Sequence, residues 1–326
     1  MYQPGRLGLK MVRLLKQTAS RVAAVARAGR YDAIWIYREA MPVGPPVLES
    51  LLMMFDRPLL YDFDDAVFLA NTSDANRWIA ALKCPWKTDW IIRHAAQVVA
   101  GNEYLASHAR PLNRAVTVIP TAVDTTMFVP RAGAGAAAAP VVGWIGTPTT
   151  APYLTPLGAP LAALAREHAF TFRVSGGGHD LSFDGVRTEY PEWSLEQEVT
   201  LFNTCDVGVY PMPDDDWARG KSGFKAIQFM ACGVPVVASP VGVNREIIRD
   251  GENGFLASTP DEWERTLRAL VTDAALRRRI GAAGRATVEA RYSLHVNAPR
   301  VAAVLRQTAA RVTSAAPLEA SHEEMR

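Results

Sequence analysis

At 326 residues the chain is too long for one hydrophobic core of ordinary size, and its length predicts two domains. Its composition, 49% hydrophobic and 21% charged, is that of a soluble globular protein, and a net charge of +2 supplies no global attraction to nucleic acid. Three cysteines, Cys84, Cys205 and Cys232, are too few and too scattered for a disulfide framework or a metal site and suit a reducing cytoplasm. No apolar run approaches the ~18 residues that cross a membrane.

The chain starts basic. Arg6, Lys10, Arg13, Lys16, Arg21, Arg27 and Arg30 precede the first acid, Asp32, and alternate with Leu7, Met11, Leu14, Leu15, Val22 and Val25 at helical spacing. Two readings stand: a helix packed on its own domain with its charges in water, or a basic face over 6–30 lying on anionic lipid at the inner side of a membrane. The run is arginine-rich and acid-poor, as transit peptides are, but it passes directly into fold-like sequence and is not read as cleaved.

Strands are predicted at 33–37, 58–62, 96–100 and 116–120, with helices over 46–55 and 103–110. Residues 131–140, RAGAGAAAAP, read as a linker between a first domain, 1–130, and a second, 141–294. In the second, strands at 141–146, 170–174 and 207–210 alternate with helices over 154–168 and 195–203. Helices over 260–272, 274–291 and 295–313 close the chain, and 314–326 reads as a frayed tail. Such alternation implies parallel, doubly wound α/β sheets. Only about four strands precede the linker, and nothing before Ala33 reads as an opening strand and glycine turn. The first domain is expected to be shortened at its start: either an opening segment is missing, in which case its sheet carries an exposed edge, or the first helix takes its place.

The most informative stretch is 219–242, RGKSGFKAIQFMACGVPVVASPVG. Lys221 is expected to open a helix, and Lys221, Lys225 and Gln228, spaced i, i+4, i+7, to share one face of it. Two ammonium groups beside a helix N-terminus make a site for a diphosphate; an ordinary amphipathic helix with two solvated lysines fits the spacing equally well. Gly233-Val234-Pro235 stops the helix before a short buried strand.

This stretch resembles the donor-binding segment of GT-B glycosyltransferases of family 4. The resemblance rests on Phe224-Lys225, on Met230-Ala231-Cys232-Gly233-Val234-Pro235-Val236-Val237-Ala238-Ser239, on Glu246-Ile247-Ile248 and on Gly251-Glu252-Asn253-Gly254-Phe255-Leu256. It implies two Rossmann-like domains facing a cleft, a last helix returning to the first domain, and a retaining transfer that uses no metal. The substrates implied are a nucleotide diphosphate sugar as donor and a glycan, lipid-linked glycan or small glycoside as acceptor. In the family a glutamate on the lysine helix binds ribose and another, eight residues earlier, lies near the transferred sugar. Here those positions are Gln228 and Gly220, so the diphosphate role is retained and the sugar contacts altered.

Such a transfer needs stabilisation of the leaving diphosphate and a placed acceptor hydroxyl. Lys221 and Lys225 are the candidates for the first, with Arg219, Ser222, Gly223, Phe224, Gln228 and Glu246 on the donor side. Gly146 and Thr147 would add backbone N–H groups, unless Gly146 is a simple turn. Asp62, Asp64 and Asp65 end a strand on the ligand side of such a sheet, where Asp64 and Asp65 would orient or deprotonate the acceptor. Helix capping is their bland alternative, and metal binding is disfavoured by the fold. Arg38, Glu39, Asn102 and Glu103 would also face the acceptor. Trp193 reads as core before stacking platform, Asp214–Asp216 should turn away from a diphosphate or toward basic groups, and His94 and His108 read as non-catalytic. A sugar-nucleotide epimerase and a non-catalytic nucleotide-sugar or glycan-binding subunit are the rivals; the first suffers from the acid missing at Gly220. No G-x-G-x-x-G supports a nicotinamide dehydrogenase.

Overall fold

The structure is a computed structural model that describes residues 16, 18–69, 83–131, 139–179 and 181–313, the side chains of 311–313 excepted. Most of the basic start, residues 1–15 and 17, and the tail 314–326 lie outside the described residues. Residues 18–25 are helical, and Val25 and Ala28 beyond them are buried in the first domain's core while Val22 is exposed. The described part of the basic start thus packs on its own domain.

The first sheet is built from β1 (Ile34–Tyr37), α1 (Val47–Met53), β2 (Leu59–Phe63), α2 (Trp86–His94), β3 (Gln97–Ala100), α3 (Glu103–Ala109) and β4 (Val116–Val118). Its strands lie in sequence order, β1-β2-β3-β4, all parallel, with Tyr37 opposite Asp62 and Phe63 opposite Ala100. Parallel strands covered on both faces read as near-continuous apolar runs, and β2 and β3 are of that kind. One face buries Ile34, Ile36, Tyr61, Phe63 and Val98 beneath Leu48 and Leu52 of α1, Ile91 and Ile92 of α2 and Leu105 of α3. Trp35 and Tyr37 point to the other face and are 47% and 53% exposed. The edge of β1 away from β2 is unpaired among the described residues, and a groove of about 370 Å³ runs along it between Arg21, Tyr31, Trp35 and Leu52.

The second sheet contains β5 (Val141–Ile145), α4 (Gly158–Glu167), β6 (Thr171–Ser175), β7 (Thr188–Glu189), α5 (Glu198–Asn203), β8 (Val207–Tyr210), α6 (Asp216–Arg219), α7 (Phe224–Ala231), β9 (Val236–Ala238), α8 (Asn244–Ile247) and β10 (Phe255–Leu256). Its order is β10-β9-β8-β5-β6-β7, all parallel. The chain therefore runs outward from β5, returns, and continues on the other side through β8. That reversal opens a crevice at the carboxyl ends of β5 and β8, where α/β sheets bind ligands. Gly143 in β5 has no room for a side chain, because a Cβ would strike Cys205 Sγ. Cys205 is buried, and burial pushes its thiol up to about 12.

The close of the chain is α9 (Pro260–Thr272), α10 (Ala274–Arg291) and α11 (Leu294–Thr313). α9 opens with a capping box between Thr259 and Glu262. α11 lies against the first sheet: Val301, Val304 and Leu305 meet Leu60, Val99 and Ile119, and Arg300 donates to the Val118 carbonyl at 2.9 Å. The crossing between domains falls earlier than residue 131. Val123 and Phe128 are part of the second domain's core, Val123 N–H donates to Tyr292 O at 2.8 Å, and Arg285 donates to the Thr125 carbonyl at 2.8 Å.

Candidate functional site

The lysine segment does not form one helix. α7 starts at Phe224, after Gly223 has turned the chain at φ 67°, a left-handed conformation that favours glycine. Lys221 therefore precedes the helix, and only Lys225 and Gln228 share its face. The reason is local: α6 ends at Arg219 and the chain must reverse through Gly220–Gly223 before a new helix can start. The two lysines consequently belong to two different clusters.

The first cluster joins the domains. Lys221 Nζ lies 3.0 Å from Asp65 Oδ1 and 4.4 Å from the centre of the Trp217 ring. Arg38 NH2 contacts Asp64 and Asp65, each at 2.7 Å, and Arg38 Nε donates to Asp64 at 2.8 Å. The Tyr37 hydroxyl donates to the same Asp64 oxygen at 2.7 Å. Arg38 has φ 59°, unusual for a side-chain-bearing residue, and its three contacts hold it there. Burial, and then the neighbouring Asp64 charge, push the Asp62 carboxyl up to about 6, against the hydrogen bond it accepts from Trp35. Bend and turn, rather than a helix, follow Asp64 and Asp65 through residue 69, so helix capping does not account for them.

Asn102 is also part of this junction. Its side chain accepts from Leu105 N–H at 2.9 Å, capping α3, and its amide donates to the carbonyls of Gly220 and Lys221, both at 3.2 Å. It is buried beneath the loop that carries Lys221 and so does not face an acceptor. Gly220 packs so closely that a Cβ there would come within 2.5 Å of Ala66 Cβ. No side chain fits at this position while the two domains stand as they do.

The second cluster lies within the second domain. Lys225 Nζ is 3.1 Å from Glu198 Oε1, 2.9 Å from Gln228 Oε1 and 5.2 Å from the centre of the Phe202 ring. Burial lowers the pKa of Lys225, opposed by Glu198. Phe224 packs on the core, and Ser222 lies in the loop before Gly223.

Several other expected site residues are engaged elsewhere. Gly146 N–H donates to Ser175 O at 3.0 Å and Thr147 N–H to Thr150 Oγ1 at 3.1 Å, so neither is turned to an anion. Arg219 binds Asp214 at 2.8 Å and Asp216 at 3.2 Å, while Asp215 caps α6, so the acidic run is answered by its own arginine and helix. Glu39 lies 3.7 Å from the buried Lys87, whose ammonium also approaches Glu49; it belongs to a cluster beneath the sheet end, not to the cleft. Glu103 pairs with Arg110. Glu246 lies inside α8 and does not cap it; burial and then the Glu103 charge raise its pKa, which places these two acids near each other across the domains. Trp193 is 45% exposed and therefore not core; it stands beside Gly176 at the end of β6. His108 pairs with Asp89 and stacks on Phe68, and His94 bonds the Trp90 carbonyl.

Glu198, Tyr37 and Trp217 escaped sequence reasoning. Glu198 had a faint signal, an acid in the first turn of a short apolar helix; the other two are defined only by contacts across the chain. Among the described residues no group of three or more His, Cys, Asp or Glu could hold a metal ion, and no helix is long and apolar enough to cross a membrane.

Two parallel α/β sheets, with a last helix packed on the first and Lys221 of the second domain meeting Asp65 of the first between them, define a GT-B fold. Solved glycosyltransferases share it. Sucrose-phosphate synthase from Thermosynechococcus elongatus superposes with a TM-score of 0.66 at 19% identity, over 91% of this chain and 79% of that one. HepE from Anabaena, solved with UDP-glucose, gives 0.63 at 20% identity over 88% and 82%. Residues 139–273, which make up most of the second domain, match the family described as glycosyl transferases group 1. A D-inositol 3-phosphate glycosyltransferase from Stackebrandtia nassauensis is 34% identical over 51% of this chain and 43% of its own length. The O-antigen biosynthesis protein RfbC of Myxococcus xanthus is 36% identical over 49% of this chain and 13% of its own length. The chain thus spans less than half the length of these curated relatives.

Proposed function

We propose that the protein is a retaining, metal-independent glycosyltransferase of family 4 that moves a hexosyl group from a nucleotide diphosphate sugar to a hydroxyl. The acceptor is a glycan, a lipid-linked glycan or a small glycoside, in polysaccharide biosynthesis on the cytoplasmic side of a membrane. One observation carries this reading: Lys221, at the loop opening α7, lies 3.0 Å from Asp65 on the opposite domain. That contact brings the lysine this reading assigns to the leaving diphosphate against a carboxylate it assigns to the acceptor, beside the sheet's reversal.

In this reading Lys221 and Lys225 stabilise the negative charge that develops on the diphosphate, aided by the N-terminus of α7, whose glycine cap offers its N–H groups no side-chain partner. Asp65 or Asp64 receives the acceptor hydroxyl. No cofactor takes part beyond the donor itself. The basic start, residues 6–30, would bring the enzyme to an anionic membrane surface through the charges left outside its packing on the first domain.

Thermal stabilisation by UDP, GDP, ADP and dTDP, in wild type and in Lys225→Ala, tests the reading. Stabilisation by one of them that the substitution removes supports it, and no stabilisation by any sinks it. A non-catalytic binding subunit is the second reading, favoured by a first sheet that among the described residues has four strands and an open edge. It predicts nucleotide binding with no turnover of the sugar nucleotide.

A further inference from the structure

The Glu198–Lys225 ion pair is part of the second cluster, yet neither diphosphate binding nor the contact with the first domain requires it. Glu198 is the first residue of α5 and Lys225 the second of α7. Both helices follow parallel strands, so both start on the side where the strands end, which is the ligand side of such a sheet. α5 packs on β5 and α7 on β8, the two strands that flank the reversal.

The chemistry of the cluster is directional. Lysine only donates, so the Gln228 atom 2.9 Å from it is the amide carbonyl, and the amide nitrogen is left to donate elsewhere. Two of the three ammonium N–H groups are used, on Glu198 and Gln228, and the third is left for an anion. Glu198 uses one carboxylate oxygen on Lys225, and its side chain is 17% exposed. A pair of neighbouring hydroxyls donates to a carboxylate and accepts from an amide; a phosphate accepts from an ammonium. Acceptor, donor and cation around one ammonium complement a ribose bearing a 5′-phosphate.

We propose that Glu198 accepts hydrogen bonds from the ribose hydroxyls of the nucleotide, with Gln228 donating to them and Lys225 turned toward the diphosphate. The proposal rests on the nucleotide-sugar reading above. It makes Glu198 the residue that selects ribonucleotides over their 2′-deoxy forms, because a site built to bond a hydroxyl is left unpaired when the hydroxyl is missing.

The test is titration calorimetry of the full chain with UDP, CDP, GDP and ADP and the 2′-deoxy form of each, in wild type, Glu198→Gln and Glu198→Asp. Glu198→Gln keeps the shape and loses the charge. Glu198→Asp keeps the charge but withdraws it by one methylene, and it serves if the first variant does not fold. Wild type should prefer one ribonucleotide over its 2′-deoxy form by about tenfold or more. Both variants should bring that ratio to within about threefold, mainly by weakening the ribonucleotide. Equal affinity of wild type for both forms, or an unchanged ratio in the variants whatever happens to the absolute affinities, overturns the proposal and makes Glu198 a strut between α5 and α7. Binding of dTDP alone, measured alongside, overturns the proposal and leaves the nucleotide-sugar reading standing; binding of neither dTDP nor any of the eight nucleotides removes the nucleotide-sugar reading itself, and this inference with it.

Discussion

Asn102 of the first domain donates to the carbonyl of Lys221 of the second, at 3.2 Å, while its own carbonyl caps α3. One buried side chain thereby fixes a helix start and the loop that carries Lys221. A buried amide left half-satisfied is costly, so the arrangement is sensitive to replacement. Asn102→Ala should lose the cap and both cross-domain bonds, roughly 2–3 kcal/mol in all. Asn102→Ser should keep the cap and recover about 1 kcal/mol of that. Urea unfolding of the three proteins followed by circular dichroism checks the order; equal stability of Ala and wild type would deny the bond any energetic role.

Gly220 faces Ala66 with no room for a methyl group. Gly220→Ala should destabilise the contact between the domains by ~1–3 kcal/mol, the usual range for overpacking. Ala66→Gly should restore it in the double variant, because it removes the atom that is struck. Non-additive thermal midpoints would establish the contact, and simple addition of the two effects would refute it.

Lys221 cannot bind a diphosphate and Asp65 with the same strength at once. Releasing it by Asp65→Asn should tighten nucleoside diphosphate binding by a few-fold, whereas Lys221→Ala should weaken it by about ten- to a hundredfold. Calorimetry at two salt concentrations separates the cases, since the Lys221 contribution falls as salt rises. Opposite signs for the two substitutions are the expected result.

The Asp62 carboxyl holds its proton up to about 6, because burial and Asp64 disfavour its charge. A free aspartate releases its proton near ~4. Between those values the folded state binds more protons than the unfolded one, so stability falls as pH rises through the window. The shift corresponds to roughly 2–3 kcal/mol at most, and partial solvent access brings the expected loss to about 1–2 kcal/mol. Asp62→Asn should therefore match wild type at about pH 4 and exceed it at about pH 7.5. Denaturant midpoints at both values decide this, and a constant difference between the proteins would assign the effect to packing.

Periodic features were readable in the sequence. β1 to β4 and the three closing helices stand within a few residues of where alternation and capping signals put them, because burial on one or both faces leaves a regular trace. The two-residue strands β7 and β10 left none, being too short for a period. The lysine segment misled for a different reason: Lys221, Lys225 and Gln228 have helical spacing, but Gly223 turns the chain between the first two. Gly223 flanking the lysines was the warning, since a glycine before a helix often marks a turn with positive φ. Asn102 could not have been assigned from sequence, because its partners lie 118 and 119 residues away and are backbone carbonyls. Glu198 was hidden for the same reason, its meaning lying in a lysine 27 residues on.

The edge of β1 that is unpaired among the described residues bears on how the protein behaves when concentrated. Ile34 and Arg38 bond β2 through their N–H groups, so those of Trp35 and Tyr37 point outward along the edge, beside two exposed aromatic rings. A bare parallel edge bearing aromatic side chains is a template for whatever strand reaches it first, and in a crowded solution that is another copy of the same strand. Handling and crystallisation will therefore be governed by this edge more than by the crevice between the domains, and Trp35→Lys is the gentlest way to keep the molecules apart.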